Sequence, residues 1–418
     1  MSLQFITGNS GNGKTKYLFN RIVKEAKANP RDNYLVIVPE QFTMQTQRQL
    51  VDLSENKAIM NIDVLSFKRL AYRVFDELGI TNLTVLEETG KNLVLRKLAA
   101  QEADKLGVIG RNLNRIGYIS EVKSLLSELV QYNISPEELG RYIASGRLSD
   151  TLSDKLKDVL VLYEAFEKFM QDKYITAEEI LNVLSNVAEE SAILRNSVIA
   201  FDEFTGFTPI QNQLIKKLFV ISKKIYVTLT IDCREDIFKS RGMQELFDMP
   251  KRTVKSLTEM AAFYGIEVEE PIILDKNYRL AENEELSFME QQLFRKRRCS
   301  FKKVPKHIHI DCLRDPKQEL TKIARRINEL VRNENLRYRD IAIVTGDVNI
   351  YAGYVREIFD KYNIPYFIDA TQEILFHPFI EFIRSIPDIA AQNFSADAVF
   401  RFLRCGFSEL LDSEIDVL

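Results

Sequence analysis

No tryptophan occurs among the 418 residues of this chain, and only three histidines and four cysteines do. Without an indole, stacking on nucleic-acid bases would fall to some of the 26 phenylalanines and 16 tyrosines. Cys233, Cys299, Cys312 and Cys405 are scattered with no C-x-x-C pair. That pattern suits reduced thiols in a cytoplasm and argues against a disulfide framework or a thiolate cluster. His307 and His309, two apart, would share one strand face that a metal could exploit, but no third ligand accompanies them, so surface or edge histidines are the simpler reading. No apolar run approaches the ~18 residues of a membrane span, and the first residues carry no signal-peptide pattern. A cytoplasmic protein with no membrane partner is therefore expected. The net charge of −3 argues against a surface that coats polyanions generally, while leaving room for a local basic groove.

What is present begins at Leu3. The apolar run LQFIT leads through Gly8-Asn9-Ser10-Gly11-Asn12-Gly13-Lys14-Thr15 into the amphipathic segment KYLFNRI. This is G-x-x-x-x-G-K-[ST] between a strand and a helix, the phosphate loop of P-loop nucleotidases. Residues without Cβ let successive backbone N–H groups curl around phosphates. Lys14 would neutralise the β- and γ-phosphates of ATP, Thr15 would ligate Mg2+, and the helix N-terminus adds its positive dipole end.

At this length two to three domains are expected, and a content of 45% hydrophobic and 28% charged residues is that of an ordinary globular chain. Tyr34 to Pro39 and Met60 to Phe67 read as further buried strands, giving a doubly wound parallel α/β sheet with its ligand at the carboxyl strand ends. From about Leu86 no convincing strand appears until Val198. Val122, Leu125, Leu126, Leu129 and Val130, then Val159, Leu162, Tyr163, Phe166 and Met170, fall at helical spacing. The strand Ser197 to Phe201 runs into Asp202-Glu203, where Asp202 would hold Mg2+ and Glu203 would orient or deprotonate the attacking water. Thr205 to Gln211 opens a helix with Pro209 near its first turn. Lys224 to Ile231 and Ile272 to Leu274 are further strands. Phe294 to Arg298 with Lys302, Lys303 and Lys306 is a basic run that would either bind phosphates or serve as a solvated connector. A second α/β unit is expected after it, with strands around Ile308, Ile343 and Phe367, a helix over Lys317 to Val331, and His377-Pro378 starting another.

Several stretches together resemble the UvrD-like superfamily 1 helicases, and within them the AddB components of AddAB helicase-nucleases: the phosphate loop, VPEQFTMQTQ, FDEFTGFTPIQ, LDKNYR, RDIAIVTGDVNIYAGYVREIFDKYNIPYFID, LFHPFIEFIRS and FRFLRCGF. The resemblance covers essentially the whole chain. It implies a RecA-like P-loop domain over 1–85 and 191–293, a helical insertion over 86–190, and the start of a second RecA-like domain over 294–418. It further implies an ATP-linked role with DNA, single strands and duplex ends, in double-strand-break repair alongside an AddA-like subunit. Residue by residue, Gly8, Gly11, Gly13, Lys14 and Thr15 match the nucleotide loop, Asp202 and Glu203 the metal and hydrolysis positions, and Arg279 the phosphate-facing arginine of N-Y-R.

The departures from the helicase pattern are equally specific. No room precedes Leu3 for the glutamine motif that reads adenine, and PEQFT replaces the DNA-contacting motif after the second strand. Where the helicases carry G-D-x-x-Q, this chain has Ile231-Asp232-Cys233-Arg234-Glu235. The nuclease and the four-iron cluster of family members find no counterpart here, so an iron-sulfur cluster is expected only beyond Leu418. Two functions remain open: an ATP-driven motor, or a helicase-shaped scaffold that holds nucleotide, grips single-stranded DNA and docks AddA. A P-loop small-molecule kinase is a weaker third, since it leaves the helical insertion and the second α/β unit without purpose.

Overall fold

The computed structural model describes residues 1–417 apart from 81–83, 109, 111–116, 147, 172–173, 296–298, 371–373 and 409. Two compact units divide the chain, Met1–His307 and Ile308–Leu418. Among the described residues, no helix is long and apolar enough to cross a membrane.

In the first unit, β1 (Ser2–Gly8) leads through the glycine loop into α1 (Lys14–Ala28), followed by β2 (Tyr34–Ile37), α2 (Thr43–Leu53), β3 (Ile62–Leu65) and α3 (Phe67–Leu78). A helical segment follows: β4 (Val85–Leu86), α4 (Glu88–Gln101), α5 (Tyr118–Gln131), α6 (Pro136–Ala144), α7 (Asp150–Met170), β5 (Ile175–Thr176) and α8 (Ile180–Val187). The chain then returns through β6 (Val198–Phe201), α9 (Pro209–Ile221), β7 (Lys224–Thr230), α10 (Asp248–Phe263), β8 (Glu267–Val268), β9 (Ile272–Leu274) and α11 (Glu284–Gln292).

The main sheet runs β3-β2-β6-β7-β1-β8, with β9 also pairing with β1, and its pairings are parallel. A parallel sheet needs both faces covered, and alternate residues divide accordingly. Leu3, Phe5, Leu35, Ile37, Ile199, Phe201, Val227 and Leu229 pack with side chains of α3, α9 and α10. Ile6, Tyr34, Val36, Val198, Ala200 and Tyr226 face Leu18, Phe19 and Ile22 of α1 and Leu50 of α2. This is an α/β fold of RecA-like type.

The helical segment has its own core, in which Leu95, Leu98, Val122, Leu126, Val159, Leu162 and Phe166 are buried together, as the helical spacing predicts. The two-residue β4 and β5 pair with each other to close its base. Residues 205–211 also form as expected: Thr208 and Gln211 make a reciprocal capping box and Pro209 begins α9.

In the second unit, α12 (Pro316–Asn333) and α13 (Val348–Lys361) bury Leu320, Ala324, Ile327, Ile358 and Phe359 with Ile364. α14 (Pro378–Ala391) and α15 (Ala396–Leu403) follow, and His377 caps α14 by accepting the Phe379 amide. The strands expected around Ile308, Ile343 and Phe367 are instead unpaired segments; Ile310 is 94% exposed, Val344 92% and Phe367 88%. An apolar stretch becomes a strand only when a neighbour takes up its N–H and C=O groups, and among the described residues none does. His307 and His309 therefore share no strand face, and the His307 amide is donated to Glu285.

Phe201 marks where packing holds the catalytic edge of the sheet: its ring stacks 5.8 Å from Phe67 and meets Phe207 edge-on at 5.3 Å. Phe201→Ala is expected to destabilise the first unit by about 3–5 kcal/mol, read as a lower urea midpoint with unchanged m value.

Candidate nucleotide-binding site

Parallel pairing brings β1, β6 and β7 to one carboxyl edge, with Gly8 opposite Thr230 and Phe201 opposite Val227. β7 lies between the other two, so the glycine loop and the acidic pair sit two strand spacings apart, ~10 Å. Gly11 and Gly13 take left-handed backbone, φ 88° and 78°. At Gly11 a Cβ would come within 2.7 Å of Asn277 Oδ1 and 2.9 Å of Arg279 Cβ, and at Gly8 within 2.6 Å of the Leu274 carbonyl oxygen. These close approaches arise because the 274–279 segment grips the loop from outside. Asn12 donates to the Leu274 carbonyl at 2.6 Å, Asn277 to that of Ser10 at 2.9 Å, and the Tyr278 amide to that of Gly11 at 3.0 Å.

Inside the loop, Lys14 Nζ donates to the carbonyls of Gly8 and Asn9 at 3.1 and 3.0 Å. Burial holds its pKa below the ordinary lysine value; Glu203 and Asp202 act against that fall and Arg279 adds to it. Thr15 Oγ1 donates to Glu203 Oε1 at 3.3 Å. Asp202 is 1% exposed; its Oδ1 accepts the Thr228 hydroxyl and its Oδ2 accepts nothing. Burial raises its pKa, the Thr228 hydrogen bond opposes the rise, the Glu203 charge adds to it, and the Thr15 hydroxyl opposes it. Glu203 itself has left-handed backbone, φ 64°, a conformation that costs a non-glycine residue about 1 kcal/mol or more.

A cavity of about 700 Å³ is lined by Gly11, Gly13, Lys14, Thr15, Asp202, Glu203 and Arg279 together with Tyr278, Thr228 and Thr230. Gly8 lies beneath it, offering its carbonyl to Lys14. The residues singled out in the sequence thus converge. The orphaned buried oxygen of Asp202 beside the Thr15 hydroxyl fits a hard divalent cation, which favours oxygen ligands. Among the described residues no group of three or more His, Cys, Asp or Glu could hold a metal, so phosphate oxygens would have to complete such a site. The start of α1 carries no acidic residue in its first turn and leaves its end free for an anion.

A family model described as "ADDB, N-terminal" matches residues 5–290. The chain belongs to the AddB family. It is 38% identical over its whole length to a protein of Lachnoclostridium phytofermentans, 33% to one of Clostridium tetani and 34% to one of Caldanaerobacter subterraneus, each named as the second of the subunits of an "ATP-dependent helicase/deoxyribonuclease". It spans only 36–37% of the length of these relatives.

Within this AddB-family chain, the segment that replaces G-D-x-x-Q has a definite use. Asp232 accepts Arg234 through Nε at 2.9 Å and through a terminal nitrogen at 2.6 Å, and Arg295 at 2.6 Å. Burial alone would raise its pKa, but Arg234 and Arg295 bring it below the ordinary value. Arg295, the first cation of the basic run, is therefore anchored, with its guanidinium also 5.1 Å over the Phe247 ring. Residues 296–298 of that run lie outside the described residues.

Sequence reading missed Asn9, Asn277, Tyr278 and Thr228. Asn9 accepts the Cys233 amide at 2.9 Å and donates to Glu290 at 2.6 Å. Tyr278 is 65% exposed, with its ring over Gly13. Asn277 and Tyr278 flank Arg279 in one motif and were within reach of the sequence, whereas Thr228 is identified only by strand register.

Because burial raises the Asp202 pKa, its ionised form costs stability wherever the pH lies above the raised value, and that cost vanishes below about 3.9, the unfolded value. Asp202→Asn, without nucleotide at pH 7, is expected to melt about 2 °C or more above the parent protein. The gap should narrow as pH falls through the raised pKa, as thermal scans at several pH values would record.

Proposed function

We propose that this chain is the nucleotide-binding, helicase-like portion of an AddB-type subunit, which works with an AddA-like subunit on DNA ends in double-strand-break repair and recombination. The observation that carries the reading is the convergence of Lys14, Thr15, Asp202, Glu203 and Arg279 on one cavity. Bound Mg2+-ATP would supply the phosphoanhydride and the cation that screens its charge. Lys14 leaves its loop carbonyls to hold the β- and γ-phosphates. Thr15 and Asp202 hold the cation, Glu203 orients the attacking water, and Arg279 stabilises the transferred charge. DNA passes along the carboxyl edge of the sheet, and the chain acts in the cytoplasm.

A second reading is a scaffold that binds nucleotide and single-stranded DNA but does not hydrolyse. Asp232 favours it: both arginines on this carboxylate are used for structure, and no glutamine follows to couple phosphate to DNA.

Both readings are tested by ATP binding and turnover with and without single-stranded DNA. Lys14→Ala is expected to weaken ATP binding about 10- to 100-fold, the loss of charge-assisted hydrogen bonds worth about 1.5–3 kcal/mol. DNA-stimulated turnover abolished by Lys14→Ala supports the motor. Binding without turnover supports the scaffold, and no binding by the parent protein overturns both.

A further inference from the structure

β7 carries a hydroxyl where packing alone calls for a hydrocarbon. Thr228 is 3% exposed and pairs across the sheet with Ile6, in a strand whose neighbouring positions are Val227 and Leu229. A valine would fill the same volume with the same strand preference. The hydroxyl has one described use. The register that sets Phe201 opposite Val227 brings the next residue, Asp202, beside Thr228, and Thr228 Oγ1 donates to Asp202 Oδ1.

We infer that Thr228 is the positioning residue for the cation-holding oxygen of Asp202. The carboxylate is tied on both sides: its backbone amide donates to the Ile37 carbonyl of β2 at 3.1 Å, and Oδ1 is held by β7. With both ties made, the torsion of the side chain is set and Oδ2 is left as the one buried acceptor without a partner. It lines the same cavity as Thr15 and Thr228. Nothing else described fixes that torsion. Without the hydroxyl, Oδ1 would lose its partner in a buried setting, the two oxygens would compete for the same donors, and the cation would meet a carboxylate it must first orient. The inference rests on the nucleotide reading above, and concerns how that site holds its metal.

The test is Mn2+ binding by electron paramagnetic resonance, on the whole chain saturated with ADP, beside ADP affinity measured calorimetrically in EDTA. Thr228→Val is expected to lower Mn2+ affinity about 10- to 100-fold, as loss of a residue orienting a metal ligand does, with ADP affinity in EDTA unchanged. Thr228→Ser, which keeps the hydroxyl and loses a methyl group, is expected to restore Mn2+ binding to within about threefold of the parent. Parent-like Mn2+ affinity in Thr228→Val overturns the inference. So does a Thr228→Ser variant as weak as Thr228→Val, because the effect would then come from strand packing. If Thr228→Val fails to fold, Thr228→Ala against Thr228→Ser makes the same comparison. A parent protein that binds neither ADP nor Mn2+ overturns the nucleotide reading along with this one, whereas loss of Mn2+ sensitivity to Thr228 alone leaves that reading standing.

Discussion

The register between β1, β7 and β6 is the constraint on which the site depends. Parallel pairing of buried strands makes every carboxyl end emerge at one edge, and a slip of one residue would turn each side chain to the opposite face. In that event Thr228 would exchange places with Val227 or Leu229, and the hydroxyl now facing Asp202 would be buried in the hydrocarbon layer beneath α9 and α10. Because the inner strands are apolar on both faces, the alternation that fixes the register is written in residue size and in the helices each face meets.

The glycine loop is shaped from two directions. The left-handed backbone at Gly11 and Gly13 curls it inward, while Leu274, Asn277 and Tyr278 hold it from without. The second grip explains why Gly11 tolerates no side chain even apart from its dihedral angle, since the space a Cβ would need holds Asn277 and Arg279. It also accounts for the position of Arg279. Tethered by the loop carbonyls, the N-Y-R segment brings its arginine to the cavity through the backbone and without any ion pair of its own.

Much of the first unit was legible in the sequence. Strands such as YLVI and VIAF are continuous apolar runs, and the helices of the insertion repeat their hydrophobic residues at three and four, so local pattern and final packing agree. The motif residues were legible for a similar reason, since glycines, Lys14, Thr15 and the Asp-Glu pair have chemistries that few other arrangements require. Less legible was whatever depends on a distant partner. The segments near Ile310, Val344 and Phe367 have strand-like composition, yet composition cannot supply a neighbouring backbone. Asp232 looked like the remnant of a coupling motif, but its two arginines give it an anchoring use that only the approach of Arg295, 63 residues later, reveals.

The outer grip on the glycine loop spans 262 to 267 residues of chain. Its ends therefore meet only after nearly two-thirds of this polypeptide has been made. At about 5–20 residues per second, a ribosome would leave the first strand and its loop waiting roughly 13 to 50 s for their partner. During that interval the earliest element of the chain is an exposed apolar strand, and the last piece to reach it both completes the sheet edge and closes the phosphate loop into its working shape.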